Sequence, residues 1–336
     1  MRRSKSNENL FKHDIATCHS KILEVLRPNT TQANLEHTIN MMFNQRRISR
    51  VFSVHDVVEV VSPDGETLLS AAVKVGNAQL AQQLLELGSD ASHYESGDSL
   101  LISACEMLAL DLVTALLAHP KTDLAAEENL AVLSRLLSMH TSDPGERSTV
   151  EKIATRLIDA GASLSQKSEI TVERQLEELD PLEIAVEKGY SSVVGKIVSA
   201  YPASLFASFQ ENVPSDTVLH RAVRNSDLDV VKILLRSDSP VMGKMIRAVD
   251  KAGKTVLHIG AESRVSLVLP HLLEDPRAKA IINQRDSLGQ TPLHYVALNK
   301  NAEMFKLMMH EGADPNIANN EMESAFGIAS AQGLMI

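Results

Sequence analysis

Asp286-Ser-Leu-Gly289-Gln-Thr291-Pro292-Leu293-His294-Tyr-Val-Ala297, followed by Gly312-Ala313-Asp314, is the stretch whose reading decides the fold. The same phrase recurs upstream in worn copies. Thr67-Leu-Leu69-Ser-Ala-Ala72 leads to Gly76, Thr217-Val-Leu219-His220-Arg-Ala222 to Ser226, and Thr255-Val-Leu257-His258-Ile-Gly260 to Arg264. Weaker copies start at Ser99 and Asp180, and a half-copy starts at Ser324. The anchors at 67 and 99 are 32 residues apart, those at 291 and 324 are 33 apart, and those at 180, 217, 255 and 291 are 36 to 38 apart. Motif and spacing agree, so the chain is a repeat array.

Each residue type in the phrase has a physical reason. A Thr at a helix N-cap satisfies orphan backbone N–H groups, a contribution of about 1 kcal/mol, and Pro at the first helical position gives up no needed donor. Leu and Ala face the neighbouring helix pair, Ala being small enough for close approach. A second apolar helix follows, as in Leu80-Ala-Gln-Gln-Leu84-Leu85, Val230-Val231-Lys-Ile-Leu234-Leu235 and Met304-Phe305-Lys-Leu307-Met308, with apolar residues at i, i+1, i+4 and i+5. Gly88 and Gly312 sit where a left-handed C-cap is needed, and the Asp/Gly clusters before each Thr read as tight turns. The unit is helix, turn, helix, hairpin loop.

These motifs resemble the ankyrin repeat, whose signature is Thr-Pro-Leu-His-x-Ala at a period near 33. The resemblance implies an all-α solenoid of stacked helix-turn-helix units with hairpin fingers, and about seven repeats plus a C-terminal half repeat over residues 62–336. It gives the motif histidines, His220, His258 and His294, a hydrogen bond to the motif Thr and neighbouring backbone; a repeat apart, they are too distant to share a metal. It also implies a rigid concave surface of finger tips and first helices, suited to protein recognition. The residues seven and eight after each anchor project there: Lys74 with Val75, Glu106 with Met107, Glu187 with Lys188, Arg224 with Asn225, Glu262 with Ser263, and Leu298 with Asn299. Their mixed charge signs point to a specific protein partner.

Composition fits this reading. The 336 residues are 44% apolar and 3% aromatic with no Trp, and no apolar run approaches the roughly 18 residues that would suggest membrane insertion. The N-terminus has basic residues but no apolar stretch behind them, so a secretory signal is not expected. Cys18 and Cys105 cannot build a disulfide framework, which suggests a reducing, cytoplasmic setting. Residues 1–60 hold nine Lys/Arg and six Asp/Glu, a balance of +3, and the remaining 276 carry −13. An acidic array repels phosphate backbones, so nucleic acid is not an expected partner.

Residues 1–61 carry no ankyrin motif and read as an N-terminal helical cap, with helices over His13–Leu26, through Leu35 to Phe43, and over Arg46–Val54; a small recognition module is the other reading. Asn129–Met139 reads as a first helix without its motif, followed by a loop through Asp143-Pro144-Gly145 and a second helix from Ile153. Extra residues lie in the fingers at Glu169–Glu178, read as a short exposed helix, at Pro202–Asp216 and at Asp238–Asp250. Such insertions often mark the binding face.

Chemistry is scarce. His13-Asp14-Ile-Ala-Thr-Cys18-His19 is the one metal- or nucleophile-capable cluster, and no CxxC, HExxH, GxSxG, P-loop or dinucleotide fingerprint appears. Cys105 falls at a buried small-residue position. No enzyme activity, cofactor or metal is expected; an active site in the N-terminal 60 residues is the alternative. A second alternative is a host-directed effector of an intracellular bacterium, since worn repeats behind a motif-free helical segment resemble that group; the host cytoplasm would then be its location. The half-copy reaches Gly333 and stops at Ile336, exposing Phe326, Ile328, Leu334 and Met335 to possible self-association.

Overall fold

The computed structural model describes residues 67–334 apart from 90, 92–98, 121, 142, 173–174, 202–215, 238–239 and 264–266, together with the isolated positions 33, 34 and 37. The N-terminal helices, the His13–His19 cluster and most of the Pro202–Asp216 finger lie outside the described residues. The chain divides into two compact units, Met1–Ser168 and Glu169–Ile336.

In the first unit, three helix pairs follow one another: α1 (Leu68–Lys74) with α2 (Ala78–Glu86), α3 (Leu100–Glu106) with α4 (Leu110–Ala118), and α5 (Val132–Ser138) with α6 (Pro144–Asp159). α1 starts where Thr67 and Ser70 form a reciprocal cap, each side chain accepting the other's backbone N–H. First helices pack on first helices and second on second, α1 against α3 against α5 and α2 against α4 against α6. The expected loop at Asp143-Pro144-Gly145 is instead the start of a 16-residue α6. Asp143 caps it, accepting from the Gly145 and Glu146 N–H groups, and Pro144 occupies its first turn. Asp-Pro-Gly is a turn signal and a helix-start signal at once, and the apolar face of Val150, Ile153, Ala154, Leu157 and Ile158 decides between them by burial.

The second unit opens with a hairpin, β1 (Ser168–Val172) and β2 (Gln175–Leu179). This corrects the exposed helix expected at Glu169–Glu178. Ile170-Thr171-Val172 is β-branched throughout, a preference for strand, and in the hairpin Ile170 and Leu179 are both buried. Then come α7 (Pro181–Lys188) with α8 (Ser191–Ala200), α9 (Val218–Arg224) with α10 (Leu228–Leu235), α12 (Val256–Glu262) with α13 (Val268–Glu274), and α15 (Pro292–Leu298) with α16 (Ala302–His310). α17 (Ala325–Ala331) is a lone last helix packed on α15. The finger expected at Asp238–Asp250 contains an additional helix, α11 (Pro240–Arg247), which buries Val241, Met242, Met245 and Ile246 and packs on a short α14 (Pro276–Lys279). Its apolar spacing of i, i+1, i+4, i+5 is the same pattern that marks the second helices.

The motif leucines Leu69, Leu101, Leu182, Leu219, Leu257 and Leu293 are all buried, each in a first helix and none more than 2% exposed. Gly88 and Gly312 take positive φ of 93° and 102° just past their helices, as their left-handed caps require.

Candidate functional site

Three successive fingers of the second unit share one local design. Asp250, Asp286 and Asn319 each open a tight turn, and the side-chain Oδ1 of each accepts two backbone N–H groups at 2.8 to 2.9 Å: Ala252 and Lys254, Leu288 and Gln290, Glu321 and Glu323. The tips are tied in a row. Ser287 N–H donates to the Ala252 carbonyl and Asn320 N–H to the Leu288 carbonyl, each at 3.1 Å, and Asn320 Nδ2 also donates to Ser287 O. The tips are therefore fixed points rather than loose loops.

Behind the fingers, the motif histidines knit one repeat to the next. Thr255 and Thr291 donate their backbone N–H to Nδ1 of His258 and His294 at 3.1 and 3.0 Å. The opposite nitrogen, Nε2, reaches the carbonyl just before the next anchor, Gln290 for His258 and Glu323 for His294, both at 3.1 Å. A donor facing Nδ1 leaves the ring proton on Nε2, so these rings are neutral bridges. Burial, the largest influence, pushes all three ring pKa values below the usual histidine range. His220 makes the same Thr contact, but its Nε2 is unpaired.

The face residues expected from the sequence fall into two sets. In the first unit, Lys74, Glu106 and Met107 are exposed, and Glu106 pairs with Arg135 of the next first helix at 2.7 Å. In the second unit, Arg224, Asn225, Glu262, Ser263 and Leu298 are exposed, while Glu187, Lys188 and Asn299 are half-buried. Asn225 and Asn299 do the same job one repeat pair apart. Asn299 Nδ2 donates to the carbonyls of Ala261 and Glu262 at 2.9 and 2.7 Å, and Asn225 Nδ2 to the Glu187 carbonyl at 3.4 Å and its Oε2 at 3.2 Å. Both close the end of the preceding first helix, where carbonyls lack partners.

Arg221, which the motif reading passed over, is the centre of this face. Its side chain is 10% exposed and sits among Glu177 of the hairpin, Glu187 at 3.7 Å and Asp216 at 3.9 Å. Burial opposes its charge, yet the Glu177 hydrogen bond and the carboxylates of Asp216, Glu177 and Glu183 outweigh that and hold its pKa above the ordinary value. Arg224 forks onto Asp216 with contacts of 2.7 and 3.1 Å. In the next repeat Lys254 pairs with Glu262 and lies 5.0 Å from the Tyr295 ring centre, and the Tyr295 hydroxyl donates to Asp286 at 2.6 Å. Sequence could have pointed to Arg221: it is a charged residue inside an otherwise apolar first helix, a position that demands a buried partner.

Among the described residues no group of three or more His, Cys, Asp or Glu could hold a metal ion, and no helix is long and apolar enough to cross a membrane. Cys105 is buried, and burial followed by the nearby Glu106 charge pushes its thiol up to about 12, which makes it a packing residue.

Repeated helix pairs, Thr–His bridges and tied fingers define an ankyrin-repeat protein. The family model described as ankyrin repeats, in three copies, matches residues 219–319. The chain is 29% identical over 172 residues to NF-kappa-B inhibitor zeta of Mus musculus, which covers 43% of this chain and 24% of that protein. It is 33% identical over 116 residues to BCL-6 corepressor-like protein 1 of Homo sapiens, 34% of this chain and 6% of that one. It is 30% identical over 100 residues to the nuclear factor NF-kappa-B p105 subunit of Rattus norvegicus, 30% of this chain and 10% of that one. The matched stretch thus spans about a quarter or less of these relatives.

Proposed function

We propose that the chain is a non-enzymatic scaffold that binds a partner protein through the face made by the ends of its first helices and by its fingers. The observation that carries this reading is the pattern of exposure along the first helices. In α9, residues Val218–Val223 are all buried, and exposure begins abruptly at Arg224 and Asn225. α12 repeats this, buried through Ala261 and open at Glu262 and Ser263. Side chains anchored on a packed helix and projecting at fixed intervals give a preorganised surface, which lowers the ordering cost of association. A relative named as an inhibitor of NF-kappa-B agrees with an activity directed at another protein. The residues proposed for contact are Lys74, Glu106, Met107, Glu187, Lys188, Arg224, Asn225, Glu262 and Asn299, with Leu298 beside them.

A photo-crosslinking amino acid placed in turn at Ser263, Leu298 and Lys188 tests the reading in cells that contain the partner. Crosslinks to one protein from these positions, and none from Asp229, Glu303 or Lys306 on the second helices, are expected. Crosslinks confined to the second helices would overturn it.

A further inference from the structure

The three tied fingers differ at one position. The tip of the first turns at Gly253, φ +76°, and that of the second at Gly289, φ +75°; the third turns at Met322, φ +64°. Glycine at the first two is required twice over, by the positive φ and by crowding. A Cβ on Gly253 would stand 2.9 Å from the Ser287 nitrogen, and one on Gly289 would stand 2.8 Å from the Asn320 nitrogen and 2.3 Å from its Oδ1. Each tip is thus pressed by the next finger. At Met322 the conformation persists but the glycine does not, and a residue with a side chain is unfavourable in this region of φ, ψ.

Two consequences follow from that methionine. Its Cβ occupies the space into which a further finger would press, so the finger row cannot be continued in the same register by any following repeat or by a second copy of this chain. And the strained backbone holds out an apolar side chain that is 85% exposed, next in the row to Leu288, itself 61% exposed. The carboxylates on either side of it, Glu321 and Glu323, are exposed, and neither enters an ion pair among the described residues. Strain at an exposed apolar tip serves no packing, and a conformational outlier of this kind is a reason to look for a ligand.

We propose that the tip of the last finger is a docking point for a peptide segment of a partner protein, with Met322 and Leu288 contacting an apolar side chain and Glu321 and Glu323 meeting Lys or Arg residues that flank it. This rests on the protein-binding reading above and names the chemistry of the partner. Methionine suits the role because its flexible, polarisable side chain adapts to the shape it meets. Arg285 is the cation of this neighbourhood, but it is engaged with the Gly289 carbonyl and with Asn320 Oδ1, so the acidic pair dominates beside Met322.

Random twelve-residue peptides displayed on phage, selected against the full chain, test this. The enriched sequences should carry an aliphatic or aromatic residue flanked by Lys or Arg. A synthetic consensus peptide should bind M322G at least tenfold more weakly than the parent and E321Q/E323Q several-fold more weakly, with the loss shrinking at high salt. M322G itself should melt no lower than the parent, because glycine relieves the strained turn. An acidic or neutral consensus, no enrichment, unchanged affinity for M322G, or a lowered melting temperature showing that Met322 serves packing would each overturn the proposal. A dimer in light scattering that M322G abolishes would make a second copy the occupant and would likewise overturn it. Crosslinks from Leu298 to a partner that M322G still binds normally would leave the proposed function standing and remove this inference alone.

Discussion

Acidification from pH 7.5 to 5.5 should destabilise the Glu169–Ile336 unit through its motif histidines. His220, His258 and His294 are each 0% exposed, and burial is the largest cause holding their ring pKa values down. Geometry adds to this, because Nδ1 of His258 and His294 already receives a backbone N–H and a second proton there would meet that donor head-on. Carboxylates oppose the shift: Asp216 and Asp250 act on His220, Asp286 and Asp250 on His258, Asp286 and Glu323 on His294. The cations Arg224, Lys254 and Arg285 reinforce it. In the unfolded chain the rings titrate near the usual value of about 6.5. Above that pH neither state takes up protons at these rings and the stability is full; below it the unfolded chain binds protons that the fold refuses. Each ring that stays neutral then costs about 1.4 kcal/mol per pH unit, so a fall to one unit below 6.5 removes about 1.4 kcal/mol each and about 4 kcal/mol for three. Against a typical total of about 5 to 15 kcal/mol this is a large share.

Urea unfolding followed by far-ultraviolet circular dichroism at pH 7.5, 6.5 and 5.5 measures the effect, and H258Q should remove about a third of the slope. Stability that is unchanged or higher at pH 5.5, or folded-state ring resonances that titrate near 6.5 by NMR, would refute the reasoning.

Leu257→Ala removes a side chain that is 0% exposed and should cost about 2 to 5 kcal/mol in the same urea assay. Gly289→Ala should destabilise clearly more than Gly312→Ala: both add a Cβ at positive φ, but only the first drives it to 2.3 Å from Asn320 Oδ1, whereas nothing lies within 4 Å of the second. Arg221→Ala leaves Glu177, Glu187 and Asp216 facing one another without their shared cation, and a loss of about 3 kcal/mol is expected, weakening further as salt is removed. Cys105 should resist a thiol reagent at pH 8 until urea unfolds the chain, since both its burial and its raised pKa withhold the thiolate.

The regular part of this architecture is legible in the sequence because its causes are local. Thr67, Thr217, Thr255 and Thr291 cap helices for reasons contained within three residues, and Leu257 or Leu293 is buried because the period brings the same face inward each time. The misread segments are those where two local signals compete and packing decides. Asp143-Pro144-Gly145 reads equally as a turn or as the start of α6. Glu169–Glu178 is charged enough for an exposed helix, yet Ile170 and Leu179 find an apolar place only as a hairpin. Ion pairs are the least legible, since the partners of Arg221 come from a hairpin 44 residues upstream and from the neighbouring helix.

That last point changes how the face is expected to bind. Reversing charge at Glu187 and Arg224 looks from sequence like a surface change with little effect on melting. In the fold, Glu187 lies 3.7 Å from the buried Arg221 and accepts from Asn225, and Arg224 forks onto Asp216, so a Lys at 187 would set a second cation against a guanidinium that is 10% exposed. Such a variant would lose binding and stability together and could not separate the two. Glu106, Glu262 and Asn299 are engaged in the same way, and a partner that recruits them must first break contacts the array already makes, which cancels much of the gain. Leu288, Leu298 and Met322 carry no such obligation: each is more than 40% exposed and apolar, and covering them removes apolar surface from water without breaking an internal bond. Binding energy on this array should therefore concentrate in its exposed apolar side chains, with the paired charges around them setting orientation and excluding partners of the wrong sign.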